Sequence, residues 1–266
     1  MAKRGFQAPL GPTDVRRILA ICSPRALLVG GQALAFWADR LAVALPEVLV
    51  PTLTADADFI GDSALAKELG RRLGWDVWIP SIDDATPQTG KVTRCLPSGG
   101  IQEVDFLSGV VGLTTKDIVR RAAELEVASL GVVRVIHPVD VLDSRIQNLH
   151  LLPGKRTPAG VAQAALAVDV ARAFIRHVVG AEGERAGLRL LERTAAIAGD
   201  IAAVRVFVRF GVDPLAAVPL DSFRTTSALH SRRWPQIVAG VQRARDALRR
   251  LEAMATPPRK RGARRG

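Results

Sequence analysis

Short apolar runs and stretches of helical periodicity alternate through the first half of the chain. Residues 25–29 form an aliphatic run that predicts a strand, and residues 32–45 predict the helix that follows. Residues 53–59 alternate apolar and polar side chains, which is the period of a strand with one buried face, and residues 101–107 predict a further strand. This alternation continues to about Ile136 and favours an α/β architecture.

The pattern after Pro138 is almost entirely helical. Helices are predicted over residues 139–151, 157–179, 184–198, 201–210 and 234–255, with glycines and prolines at the breaks. The fold class predicted is therefore α/β (α+β), with a small mixed-sheet domain in residues 1–136 and a helical domain in residues 137–255. Residues 256–266 are rich in proline, arginine, lysine and glycine, and they predict a disordered basic tail.

Two helical segments carry more specific expectations. A helix that opens at Thr114 or Thr115 is expected to include Ile118, Ala122 and Leu125. The C-terminal helix has an apolar stripe and an opposite basic face that is expected to be solvated or to contact RNA phosphates. The stripe consists of Ile237, Val241, Leu248 and Leu251, and the basic face of Arg243, Arg245, Arg249 and Arg250.

The chain of 266 residues has a formal net charge of +11. Five of the positive charges lie in the tail, so the remainder of the chain is also basic. Positively charged surfaces attract polyanions through counterion release, and the charge therefore favours a nucleotide or nucleic acid as a ligand.

The cysteine content and the apolar segments favour a soluble, cytoplasmic protein. Cys22 and Cys95 are too few for a disulfide framework and lack metal-ligand spacing. Residues 1–17 are polar and basic, without the apolar segment of a secretory signal. Residues 26–38 are apolar but contain Gly30, Gly31 and Gln32, and they fall short of the roughly 20 residues that span a bilayer. No membrane partner is expected.

Three aspartates form the strongest candidate for chemistry. Side chains at alternate positions of a strand share a face, so Asp56 and Asp58 are expected to point the same way. Like charges this close are accommodated by solvent, by a raised pKa or by a divalent cation. Asp105 offers a third carboxylate on a later strand, with Glu103 on the same side. The alternative interpretation is the solvated face of an edge strand.

The pair Gly30-Gly31 lies between the first aliphatic strand and the following helix. Glycine lets a phosphate approach the backbone, and the N–H groups at a helix start are unpaired donors. A glycine pair in this position is also compatible with a simple turn of the chain.

These elements in this order resemble the DNA polymerase beta nucleotidyltransferase superfamily. The segments concerned are 27–33 (LLVGGQA), 54–59 (TADADF) and 104–106 (VDF), and the resemblance covers about residues 25–107. The sequence is most similar to stand-alone bacterial nucleotidyltransferases that include abortive-infection toxins of toxin–antitoxin pairs, in which helices follow the catalytic half. The interval from Gly31 to Asp56 is longer than in the polymerases but similar to that in the toxin-like and antibiotic-modifying branches.

The resemblance implies a Mg²⁺-dependent transfer of NMP from an NTP to an acceptor hydroxyl, with release of pyrophosphate. It implies that two Mg²⁺ ions, or Mn²⁺ in their place, are bound by Asp56, Asp58 and Asp105, and that Asp105 activates the acceptor. Gly30, Gly31 and Gln32 are then expected to hold the β- and γ-phosphates.

Basic residues in the helical half extend this implied site. Arg145 stands where toxin-like members carry a basic nucleotide contact, often lysine, and Lys155 and Arg156 follow in a loop. Asp169 stands where a charged residue sometimes supports the site. The alternative for each is an ordinary solvated position.

RNA, especially tRNA, is the acceptor favoured by the basic charge, and an antitoxin protein is a possible partner implied by the resemblance. Two alternatives stay open. One is nucleotidylation of a small molecule such as an antibiotic, which a deep acidic pocket beside Asp105 would favour. The other is an RNA-binding protein with a degenerate transferase fold.

Overall fold

Seven strands form one mixed sheet in a computed structural model that describes residues 6–49, 56–128, 130–224 and 228–255. The strands are β1 (Leu27–Val29), β2 (Asp56–Ile60), β3 (Asp76–Trp78), β4 (Gln88–Cys95), β5 (Ile101–Leu107), β6 (Ala123–Val127) and β7 (Gly131–Val135), in the spatial order β3-β4-β5-β2-β1-β7-β6. β1 pairs antiparallel with β2 and parallel with β7, while β2 pairs parallel with β5. The remaining pairs are antiparallel.

Nine α-helices lie within these described residues. They are α1 (Pro12–Cys22), α2 (Gly30–Arg40), α3 (Ser63–Leu73), α4 (Thr115–Arg121), α5 (Pro138–Leu151), α6 (Pro158–Glu182), α7 (Glu184–Gly199), α8 (Ile201–Phe210) and α9 (Trp234–Ala255). The mixed α/β fold with a helical C-terminal region is thus confirmed. Residues 53–55 of the second predicted strand and the tail 256–266 lie outside the described residues.

The helix predicted to include Leu125 is shorter than expected. α4 ends at Arg121, and Leu125 lies in β6, where it pairs with Val133 of β7. The spacing of Ile118, Ala122 and Leu125 is compatible with a helix, but the hairpin satisfies the backbone hydrogen bonds of residues 123–127 in the sheet. The prediction was wrong at this point because strand pairing overrides local periodicity.

The sheet and the helical region share one hydrophobic core. Phe59 of β2 and Phe106 of β5 stack with ring centroids 5.8 Å apart, and Ile146 of α5 belongs to the same buried cluster. The indole Nε1 of Trp37 in α2 donates a hydrogen bond of 2.8 Å to the Ile136 carbonyl, where the sheet region ends. Buried apolar packing therefore joins the sheet to the helical region, and the hydrogen bond fixes α2 to the end of the sheet region.

α6 is long and apolar enough to cross a bilayer by length and composition, with a mean hydropathy of 1.3 over an 18-residue window. In the structure, 39% of that window is buried, and the helix packs against both α5 and α7. These properties are typical of the core helix of a soluble protein.

α9 differs from the predicted amphipathic pattern at Arg245, which is only 4% exposed. Its guanidinium stacks over the Phe207 ring at 3.6 Å and donates from Nη1 to Asp213 Oδ2 at 3.2 Å. Leu251, expected on the apolar stripe, is 62% exposed. The expectation that Arg245 belongs to the solvated face was wrong, because α9 packs on α8 and the Arg245 guanidinium lies over Phe207 of that helix.

Candidate metal centre

The parallel pairing of β2 with β5 brings the three predicted aspartates together. Asp58 lies directly opposite Asp105, and Asp56 lies opposite Glu103. One carboxylate oxygen from each of Asp56, Asp58 and Asp105 lies within 4.8 Å of the others. All three residues are half-buried, and their donors are oxygen atoms only, which is the ligand chemistry of Mg²⁺ and Mn²⁺.

Gly30 makes room for one of these carboxylates. It begins α2 with φ at +70°, and a Cβ atom at this position would lie 1.9 Å from Asp58 Oδ2. The cause is the sheet register, in which Val29 at the end of β1 pairs with Asp58. Glycine is therefore required here both by the backbone conformation and by the close approach of Asp58.

Burial and the two neighbouring carboxylates dominate the electrostatics of Asp58. Burial, followed by the charges of Asp56 and Asp105, raises the pKa of Asp58 from 3.8 to about 7. Arg145 and Lys155 act in the opposite direction but do not cancel the effect. A divalent cation between the carboxylates would remove the repulsion and displace the proton, so the site fits a metal ion.

Asp105 is held by two neighbours on β4. Gln88 Nε2 donates to Asp105 Oδ1 at 2.8 Å, and Lys91 Nζ lies 3.4 Å from the same oxygen. Burial raises the pKa of Asp105, while the Lys91 charge opposes that shift. Lys91 also contacts Glu103 Oε1 at 3.3 Å, so it links two acidic side chains of β5.

Three contributors to the site were missed at the sequence level: Gln7, Gln88 and Lys91. Gln7 donates from Nε2 to Asp56 Oδ2 at 3.3 Å and to Glu103 Oε2 at 3.4 Å. None of them belongs to a recognisable motif. Only the register of β4 against β5, which sets Lys91 opposite Asp105, identifies the lysine.

A cavity of about 230 Å³ opens beside Asp56 and Asp58. Its wall is contributed by the glycine start of α2, by α5 and by the loop and first turn of α6. Its lining residues include Gly31, Arg145, Lys155, Thr157, Ala159 and Gln163. The structure thus brings the predicted residues Gly31, Arg145 and Lys155 to the same cavity as the aspartates.

Arg145 is the buried cation of this cavity, with 7% of its surface exposed. Its Nη1 donates to Gln163 Oε1 at 3.1 Å, and its Nε atom is buried without a hydrogen-bond partner. Burial lowers the pKa of Arg145, and the charges of Asp58 and Asp56 oppose that shift. An anion in the cavity would satisfy the guanidinium.

Three further predicted residues lie elsewhere. Gln32 is buried and lines a separate apolar cavity of about 150 Å³ with Ala57 and Phe59, the β2 residues that face away from the carboxylates. Asp169 lies 3.8 Å from Arg172 on the exposed side of α6. Arg156 donates from Nε to the Leu149 carbonyl at 2.9 Å. The structure does not bring these three side chains to the aspartates.

No family model and no curated protein matches the chain. Among solved structures, the chain is similar to one described as the crystal structure of JHP933 from Helicobacter pylori, with 13% sequence identity. The match covers 91% of this chain and 93% of that one at a TM-score of 0.36. A TM-score this low carries no argument for a shared fold or function.

Proposed function

We propose that the protein is a divalent-metal-dependent nucleotidyltransferase that moves NMP from an NTP to an acceptor hydroxyl and releases pyrophosphate. The observation that carries the proposal is the convergence of Asp56, Asp58 and Asp105, whose carboxylate oxygens lie within 4.8 Å of one another. The cavity beside them is lined by a buried arginine and a lysine, which suits a polyphosphate.

Each side of the cavity has a distinct task in this proposal. Mg²⁺ bound by the three aspartates supplies neutralisation of the transferred phosphoryl group and activation of the acceptor hydroxyl. Arg145 and Lys155 bind and orient the phosphates of the NTP. Gln88 and Lys91 both contact Oδ1 of Asp105 and hold this carboxylate in place, and in this proposal Asp105 takes the proton of the acceptor hydroxyl.

RNA is the acceptor class that the charge favours. The chain carries a net charge of +11, and Arg243, Arg249 and Arg250 are exposed along α9. On the side of Asp105, the neighbouring side chains include a lysine and a glutamine as well as Glu103, which is not the deep acidic pocket expected for a cationic antibiotic. Small-molecule nucleotidylation and RNA binding without catalysis remain outcomes that the experiment must separate.

The test compares NTPs labelled on the α- or the γ-phosphate. Purified protein is incubated with each of the four NTPs and with total RNA, an aminoglycoside or a lincosamide as acceptor, in the presence of Mg²⁺, Mn²⁺ or EDTA. Nucleotidyl transfer predicts metal-dependent incorporation of the α-label and release of the γ-label as pyrophosphate. Asp56→Asn is expected to abolish incorporation.

Three results would count against the proposal in different ways. Incorporation of the γ-label would identify a kinase instead. RNA binding without incorporation of either label would favour the non-catalytic alternative. Labelling of aminoglycoside or lincosamide acceptors, but not of RNA, would retain nucleotidyl transfer and replace the acceptor.

A further inference from the structure

A second cavity, of about 150 Å³, lies between the sheet and the helices α1 and α2. Eight of the described residues line it, and seven of them are apolar side chains from α1, β1, α2 and β2. The eighth is Gln32, whose amide is the single polar side-chain group among them. Protein interiors are otherwise close-packed, so an apolar space of this size can receive a ligand.

The cavity lies on the reverse side of the elements that carry the aspartates. Ala57, which lines it, stands between Asp56 and Asp58 in β2, where alternate side chains point to opposite faces of the sheet. Gln32 directly follows Gly31, which lines the aspartate cavity. The two cavities therefore share β2 and the start of α2 but have different walls.

The lining of the second cavity suits a small ring better than water. A buried water molecule needs two to four hydrogen-bond partners, whereas the described lining residues offer one polar side chain. An apolar cavity of this volume holds about one benzene-sized molecule. Phe36 and Phe59 are part of the wall, and aromatic rings pack favourably against one another in edge-to-face or offset arrangements.

Gln32 gives the cavity a site for one hydrogen bond. The residue is only 7% exposed, and the described residues provide no hydrogen-bond partner for its Nε2 atom. The last side-chain torsion of glutamine has little preference, so rotation of the amide can present either its N–H groups or its oxygen to the cavity. A hydroxyl group both donates and accepts, and it therefore matches the amide in either orientation.

We infer that this cavity is a binding site for a small neutral molecule with one aromatic ring and one hydroxyl group, and that the Gln32 amide hydrogen-bonds the hydroxyl. A charged ligand does not fit, because the described lining residues include no charged side chain to compensate it. Val15 and Phe36 are the half-buried members of the lining, so the ligand enters between α1 and α2. This site is independent of nucleotide transfer at the aspartates.

The experiment titrates the full chain with phenol and with benzene and follows the backbone and side-chain amide signals by NMR. Wild type is expected to bind both probes, with shifts of the Gln32 side-chain amide in phenol. Gln32→Leu keeps an apolar side chain of similar size and is expected to lower the ratio of phenol affinity to benzene affinity about tenfold or more, because the hydroxyl is then buried without a partner. Gln242→Leu on the exposed face of α9 is the matched control and should keep the wild-type ratio.

Val15→Phe tests the site without any change at Gln32. The added ring occupies space at the mouth of the cavity, so the affinity for both probes is expected to fall about tenfold or more. Val238→Phe adds the same ring at an exposed position of α9 and should leave both affinities unchanged. This pair of variants keeps the site testable if Gln32→Leu does not fold.

Three results would overturn the site. Wild-type spectra that do not change around the cavity, up to the solubility limit of each probe, would show an inaccessible packing void. The same ratio of phenol to benzene affinity in wild type and Gln32→Leu would remove the hydrogen bond to the amide. Equal binding by Val15→Phe and Val238→Phe would place the probes elsewhere on the protein.

Discussion

Gly30 lies directly against the Asp58 side chain, and a Cβ atom on Gly30 would lie 1.9 Å from Asp58 Oδ2. The glycine that begins α2 therefore shapes the carboxylate cluster directly, in addition to any contact with phosphate. The φ angle of +70° at this position also favours glycine over any residue with a side chain.

We expect Gly30→Ala to displace the Asp58 carboxylate. The variant should lose about 1–2 kcal/mol of stability from the left-handed backbone conformation alone, and metal-dependent transfer should fall at least about tenfold. Gly180→Ala in the last turn of α6 is the control, because a Cβ atom there meets nothing within 4 Å. The control should gain up to about 1 kcal/mol and keep full activity. Equal activity in the two variants would contradict the close-approach argument.

Asp58→Asn should separate stability from activity. The pKa of Asp58 is raised to about 7, so the folded state binds a proton more tightly than the unfolded state does. Ionisation of this residue therefore destabilises the metal-free fold as pH rises from about 4 through 7. The variant should be more stable than wild type by about 1 kcal/mol at pH 8, where solvent partly screens the Asp58 charge, and equal to it near pH 4.

Nucleotide transfer by Asp58→Asn should collapse at every pH, because one metal ligand is removed. The measurements are urea unfolding in EDTA at pH 4 and pH 8 and Mg²⁺-dependent incorporation of labelled nucleotide. A fully active variant would reject the metal role and return Asp58 to an ordinary strand residue.

His137 is expected to limit stability in mild acid. Its Nδ1 accepts the Val139 N–H at 3.1 Å and caps α5, and burial followed by the charge of Arg193 lowers its pKa from 6.5 to about 4. The unfolded state therefore takes up the proton first, and stability present above about pH 6.5 is lost as pH falls toward 4.

His137→Asn keeps a side chain that caps helices well and removes the titration. The loss of stability between pH 7 and pH 5 should be smaller in this variant by about 1–2 kcal/mol. Urea unfolding at the two pH values measures the difference, with His177→Asn at an exposed position of α6 as the control. An identical pH dependence in wild type and His137→Asn would exclude this histidine as the cause.

Deletion of residues 256–266 removes five positive charges. RNA association should weaken, and the slope of log affinity against log salt should fall by about 0.7–0.9 for each phosphate that the tail no longer neutralises. ATP binding should not change, because the cavity residues lie between positions 7 and 163. Filter binding at several salt concentrations measures the slope, and an unchanged slope would show that the tail does not bind RNA.

The local chemistry of the site follows from the sequence by itself. The period of two along a strand places Asp56 and Asp58 on one face. The glycine pair between a strand and a helix can likewise be identified from the sequence alone. The alternating first half and helical second half likewise predicted the fold class, because binary patterns reflect which side chains each element must bury.

The tertiary structure alone decided which residues from distant parts of the sequence meet in the site. Asp105 meets Asp58 because β5 pairs with β2 across 47 positions of sequence, and Gln163 meets Arg145 because α6 packs on α5. Leu125, predicted in a helix, lies in a strand, and Arg245, predicted on the surface, lies at the interface with α8. Periodicity within a segment specifies a buried face, but the partner of that face and the register between them depend on interactions between residues distant in sequence.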